Sequence, residues 1–86
     1  MSVAETIERK LQDAFAPLSI NVIDESHLHA GHVGARPEGE THFRVELVSA
    51  AFADRSRVDR QRMVYQTLSD ELAGPVHALS VLASPP

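Results

Sequence analysis

The sequence predicts a small α+β domain in the order α-β-β-α-β, a three-stranded mixed sheet with helices on one face. Three observations carry that reading. Apolar residues recur at helical spacing in two stretches, 2–15 and 56–73. They alternate with polar residues in two others, 18–24 and 41–49, and a short apolar run follows at 76–82. With 86 residues, 43% hydrophobic and 23% charged, the chain can bury one modest core, which argues against disorder and for a single domain over 1–86.

The first helix, 2–15, opens on Ser2 with Glu5 three residues later, a capping-box pattern. Val3, Ile7 and Leu11, with Ala14 and Phe15, form its apolar face, and Pro17 closes it. In the strand 18–24, Leu18, Ile20 and Val22 alternate with Ser19 and Asn21. The loop 25–40 contains Gly31, Gly34, Pro37 and Gly39 and is far longer than a hairpin needs. A connection of that length in so small a domain is functional or disordered, and the histidines inside it favour function. In the strand 41–49, Phe43, Val45 and Leu47 point one way and His42, Arg44 and Glu46 the other, toward solvent if the helices cover one face.

Ser56 with Asp59 starts the second helix, 56–73, and Gly74-Pro75 ends it. Val58, Val64, Tyr65, Leu68 and Leu72 share one face at 100° per residue, with Gln61 near its centre and Met63 opposite. A glutamine there needs a hydrogen-bond partner or a partly open position. The last strand, 76–82, is similarly apolar on both faces, which leaves the direction of His77 open. A helical crossover makes the second and third strands parallel if they are neighbours, while the first two form an antiparallel hairpin. Parallel neighbours start at the same end, so His77 is expected beside His42 and near His29 and His32.

Five histidines and no cysteine limit the chemistry. Any metal must be held by imidazole and carboxylate, and a soft metal needs sulfur from a partner. His27, His29 and His32 fall within six residues, which fits a zinc- or nickel-binding loop and equally an adventitious metal-binding surface. A closed structural zinc site is disfavoured, because no Cys/His motif occurs. No Gly-x-Ser-x-Gly, His-Glu-x-x-His or phosphate-binding loop is present, and Glu25 and Glu40 flank the loop without pairing. The chain therefore reads as no enzyme and as having no small-molecule substrate. Gly31-His32-Val33-Gly34 formally matches the GxxG of KH domains but lies between strands rather than helices.

A net charge of −4 argues against broad nucleic-acid binding, yet four of the eight basic residues, Arg55, Arg57, Arg60 and Arg62, crowd one eight-residue window. The ordinary reading is a solvated helix start; the alternative is a DNA-binding regulator whose arginines meet phosphates. No apolar run approaches the roughly 20 residues of a membrane span, and the first ten residues carry acids and no signal core. The expected location is the cytoplasm, away from membranes.

Asp24-Glu25-Ser26 with a loop histidine, Glu40-Thr41-His42-Phe43-Arg44-Val45, Val48-Ser49 and Phe52, Val58-Asp59-Arg60-Gln61-Arg62-Met63-Val64-Tyr65 and Val76-His77-Ala78-Leu79 together resemble the BolA family. The resemblance runs in unbroken order from about residue 5 to 82. It implies an αββαβ fold similar to class II KH domains without their RNA-clamping loop. It also implies a monothiol glutaredoxin partner, in a heterodimer sharing a bridging [2Fe–2S] cluster. The partner and glutathione would supply sulfur and this chain histidine, with no cofactor expected in the isolated protein. Carried over by position, His77 matches the family's near-invariant histidine and His29 its variable loop ligand, with His32 as alternate. His42 matches a strand-edge residue rather than a first-choice ligand. The chain departs from the family at Arg60-Gln61-Arg62, where Arg-His-Arg is common, which weakens any role assigned to that histidine.

Overall fold

The computed structural model describes residues 2–26 and 41–86. Helix α1 (Val3–Phe15) is followed by strands β1 (Ser19–Asp24) and β2 (His42–Val48), a 3-10 turn (Ala50–Phe52), helices α2 (Arg57–Thr67) and α3 (Ser69–Ala73), and strand β3 (Ala78–Ser84). The sheet order is β1-β2-β3. β1 pairs antiparallel with β2 from Ser19 opposite Val48 to Asp24 opposite Phe43. β2 pairs parallel with β3 from His42 opposite Ala78 to Val48 opposite Ser84. The α+β fold with a mixed three-stranded sheet is thus the one its hydrophobic periods predict.

The amino-terminal cap forms as its pattern requires: the Glu5 amide donates to Ser2 Oγ and the Ser2 amide to Glu5 Oε1, each at 3.1 Å. These bonds favour the charged carboxylate and lower the pKa of Glu5 below its ordinary value. At the other end Ala16 turns left-handed (φ 44°), and Ser49 Oγ donates to the Phe15 carbonyl at 2.6 Å. Ile7 and Leu11 of α1 meet Phe43, Val45 and Leu47 of β2 in a core that also takes Phe52, Val64, Leu68, Val76, Leu79 and Ala83. The Phe15 and Phe52 rings stack tilted, 5.0 Å between centroids, which ties the 3-10 turn to the end of α1.

The helix expected over 56–73 is two helices. Leu68, at φ −104° and ψ 22°, leaves helical geometry, and the Thr67 hydroxyl turns back to the Met63 carbonyl at 3.0 Å. Helical bonds nevertheless continue across it, from the Leu68 amide to the Val64 carbonyl and from the Leu72 amide to the Leu68 carbonyl, and the departures from the 100° phase lie within α2 itself. Val58, placed on the apolar face by that phase, is 54% exposed, while Met63, placed opposite, packs against the core. Gln61 is exposed and donates to Tyr65 Oη at 3.3 Å. β3 begins two residues later than 76 and runs to Ser84. The Val76 amide donates to the Glu71 carbonyl at 2.9 Å, which makes Val76 part of the turn closing α3.

α3 carries the one charged side chain in the buried set among the described residues, Glu71. Lys10 of α1 reaches it at 2.8 Å and also lies 3.6 Å from Asp70. The hydrogen bond to Glu71 holds the Lys10 ammonium above the ordinary lysine pKa. This pair ties α1 to α3 across the helical layer. The other sheet face is open: Arg44 sits 3.3 Å from Glu46 and 3.9 Å from Glu25, and Leu82 is 54% exposed.

Candidate functional site

The parallel register brings residues 35 positions apart in sequence to one sheet end. The His77 amide donates to the Thr41 carbonyl at 2.6 Å, and the Ala78 amide donates to the same oxygen at 3.2 Å. The His42 and His77 rings lie tilted, their centroids 5.4 Å apart. His77 is exposed. His42 is 7% exposed, so it does not point to solvent as its strand alternation implies. Alternation assigns a face of the sheet, not whether that face is covered, and at this end the chain covers it.

The cover includes a small polar network. Asp24 Oδ1 accepts the Ser26 amide at 2.9 Å, an Asx turn that ends β1 and swings Ser26 back over the start of β2. Ser26 Oγ then accepts the amides of Thr41 (2.9 Å) and His42 (3.1 Å). Thr41 Oγ1 lies 3.3 Å from Ser26 Oγ and 2.8 Å from His42 Nδ1. Ser26 is 5% and Thr41 1% exposed, and no buried side-chain polar atom is left without a partner among the described residues. Sequence reading missed Ser26 and Thr41; the Asp-x-Ser at a strand end was the signal available.

Of the expected metal ligands, His77 is thus placed at an accessible position. His29 and His32, with His27, lie outside the described residues. The residues bracketing that segment, Ser26 and Thr41, are hydrogen-bonded to each other beside His42. Among the described residues no three His, Asp or Glu side chains gather as a metal would need.

The arginine cluster is divided. Arg60 is committed to backbone carbonyls, its Nε 3.0 Å from Arg55 O and a terminal nitrogen 3.3 Å from Ala83 O. Arg62 sits 3.9 Å from Asp59 at the surface, and Arg55 and Arg57 are exposed. Arg57, Arg60 and Gln61 line a groove of about 200 Å³ with Val81, Leu82 and Ala83. Beside it Tyr65 Oη donates to the Leu79 carbonyl at 2.9 Å. No helix among the described residues is long and apolar enough to cross a membrane.

Comparison with known proteins assigns this arrangement. The family model described as "BolA-like protein" matches residues 11–86. The chain belongs to the BolA-like family. It is 49% identical over 87 residues to an "uncharacterized protein in cobS 5'region" of a Sinorhizobium species, covering all of this chain and 94% of that one. It is 43% identical over 81 residues to the "DNA-binding transcriptional regulator BolA" of Escherichia coli, covering 94% of this chain and 73% of that protein. The solved BolA domain of SufE1 from Arabidopsis thaliana superposes with a TM-score of 0.90 at 42% identity, over 100% of this chain and 94% of that one. In this chain Val76-His77-Ala78-Leu79 leads into β3, with His77 exposed just before the strand.

Proposed function

We propose that this BolA-like chain is a non-enzymatic iron–sulfur assembly or trafficking adaptor. It would share a [2Fe–2S] cluster with a monothiol glutaredoxin, contributing His77 and a loop histidine, His29 or alternatively His32. The observation that supports this best is an exposed imidazole held at a sheet end by its own backbone amide, in a chain with no cysteine. A cluster needs more donors than the described residues bring together, and iron–sulfur clusters are held chiefly by thiolates. This donor set fits half of a mixed sulfur and imidazole site, the sulfur coming from the glutaredoxin and glutathione.

Each part of the chain has a task in that reading. The Thr41 carbonyl fixes the backbone of His77, so its imidazole stands clear of the sheet end and can offer a nitrogen lone pair to a partner-borne site. The segment holding His29 and His32 joins Ser26 to Thr41, and in this reading it would supply the second imidazole. A bound cluster would supply electron transfer and a transferable iron–sulfur unit. The test mixes the chain with a cluster-loaded monothiol glutaredoxin and follows visible absorption, circular dichroism and size-exclusion elution. The expected result is a shifted spectrum co-eluting with a heterodimer. An unchanged spectrum with two separately eluting proteins removes the proposal.

One observation favours a second reading: the E. coli relative is named a DNA-binding transcriptional regulator. Here Arg55, Arg57 and Arg62 stand at the start of α2, whereas Arg60 is already held by carbonyls. This reading expects duplex binding that falls steeply with salt and weakens in Arg57→Ala and Arg62→Ala. Binding indifferent to both substitutions excludes it.

A further inference from the structure

The geometry points to Thr41 as a positioning residue that fixes the direction of the His77 imidazole through the ring of His42. This inference rests on the reading of His77 as a ligand and adds what aims it.

Thr41 acts at two places. Its carbonyl takes the amides of both His77 and Ala78, which sets the backbone from which the His77 side chain springs. Its hydroxyl lies 2.8 Å from His42 Nδ1, and the His42 ring packs against that of His77. An exposed histidine ordinarily samples several rotamers. Here the neighbouring ring blocks part of that range, and it can do so only if it is itself held.

Proton bookkeeping supports the tether. The Ser26 hydroxyl oxygen has two lone pairs, and the amides of Thr41 and His42 point at them. No lone pair remains there for the Thr41 proton, whose shorter contact is with His42 Nδ1. With the Thr41 hydroxyl donating, the imidazole nitrogen accepts, and the ring proton of a neutral His42 is assigned to Nε2. The orientation of His42 is thus written into the chain by Ser26 and Thr41, and passed to His77 by ring contact. Groups bonded directly to a ligand commonly change metal affinity by about 10–100-fold when removed, and the Thr41 hydroxyl, acting through His42, is expected at the low end of that range.

Two substitutions separate the hydroxyl from its bulk. Thr41→Val keeps the shape and deletes the proton donor; Thr41→Ser keeps the donor. In the free chain, nitrogen-15 NMR is expected to show His42 as the Nε2–H tautomer and the β-proton couplings of His77 to report one dominant rotamer. Thr41→Val should lose the tautomer preference and average the His77 couplings, and Thr41→Ser should retain both. With cluster-loaded glutaredoxin, Thr41→Val should bind about tenfold more weakly with an altered circular dichroism spectrum, and Thr41→Ser should behave as native. If Thr41→Val does not fold, His42→Leu, which removes the guiding ring, carries the same expectations for His77 and for binding.

Native behaviour of Thr41→Val in both experiments overturns the inference, as does Thr41→Ser failing equally, since bulk rather than the hydroxyl would then matter. Should the native chain itself leave the cluster spectrum unchanged, the adaptor reading fails, and the NMR comparison alone decides whether Thr41 aims His77.

Discussion

Replacing His77 with alanine is expected to abolish the spectral change on mixing with cluster-loaded glutaredoxin while leaving the fold intact. The side chain is exposed, and the bonds that locate the residue run through its backbone amide, which alanine keeps. Surface substitutions of this kind usually move stability by no more than about 0.5 kcal/mol. Loss of the ring contact with His42 adds a term of about 0.5–1.5 kcal/mol at most. The functional effect is larger because no other described histidine stands exposed at this sheet end. His29→Ala should weaken the signal less, since His32 is three residues away in the same segment and can take its place. Visible circular dichroism titrations beside urea melts of each variant make the comparison. A folded His77→Ala chain that still produces the native spectrum would show that the ligand lies elsewhere.

The largest effect on stability from a single small change is expected at Ser26. Its hydroxyl oxygen is the acceptor for two backbone amides at the start of β2, inside a region where Ser26, Thr41 and His42 are each below 10% exposed. Ser26→Ala removes that acceptor without making room for two replacement partners. Leaving a buried donor unsatisfied costs about 1–3 kcal/mol, so two amides cost about 2–6 kcal/mol. Against the 5–15 kcal/mol typical of whole folds, that is a large fraction. The melting temperature should fall by roughly 8–48 °C, given about 4–8 °C per kcal/mol in domains of this size. Ser19→Ala, at an exposed serine of β1, is the control and should be nearly neutral. Equal melting of the two variants would mean that water replaces the lost acceptor.

The architecture was legible where it rests on period and punctuation. Ser2 with Glu5 marked the first helix, and the alternation of Phe43, Val45 and Leu47 marked the central strand. The crossover rule puts His77 beside His42, and the rings are 5.4 Å apart. Local pattern failed where tertiary contacts decide. Nothing in the spacing of Val58, Gln61 and Met63 reveals that Val58, in the first turn of α2, stands clear of the core while Met63 packs against it. For His42, strand alternation does not reveal the cover at this sheet end, where a serine sixteen residues earlier is brought onto its backbone amide by an Asx turn. The family resemblance supplied the ligand assignments that spacing alone left open, and His29 and His32 lie outside the described residues.

The two bonds from α2 to β3 have a consequence for the solution behaviour of this protein. In β3 the even-numbered residues bond toward β2, as the Ala78 amide and the Ser84 carbonyl show. The odd-numbered carbonyls consequently face away from the sheet, where an incoming strand would recognise them. Tyr65 and Arg60 already occupy those of Leu79 and Ala83. An apolar strand left bare at a sheet margin is a template for runaway pairing between chains. Here a phenol and a guanidinium act as stoppers along that margin, which lets the protein keep an apolar final strand without offering it to its neighbours.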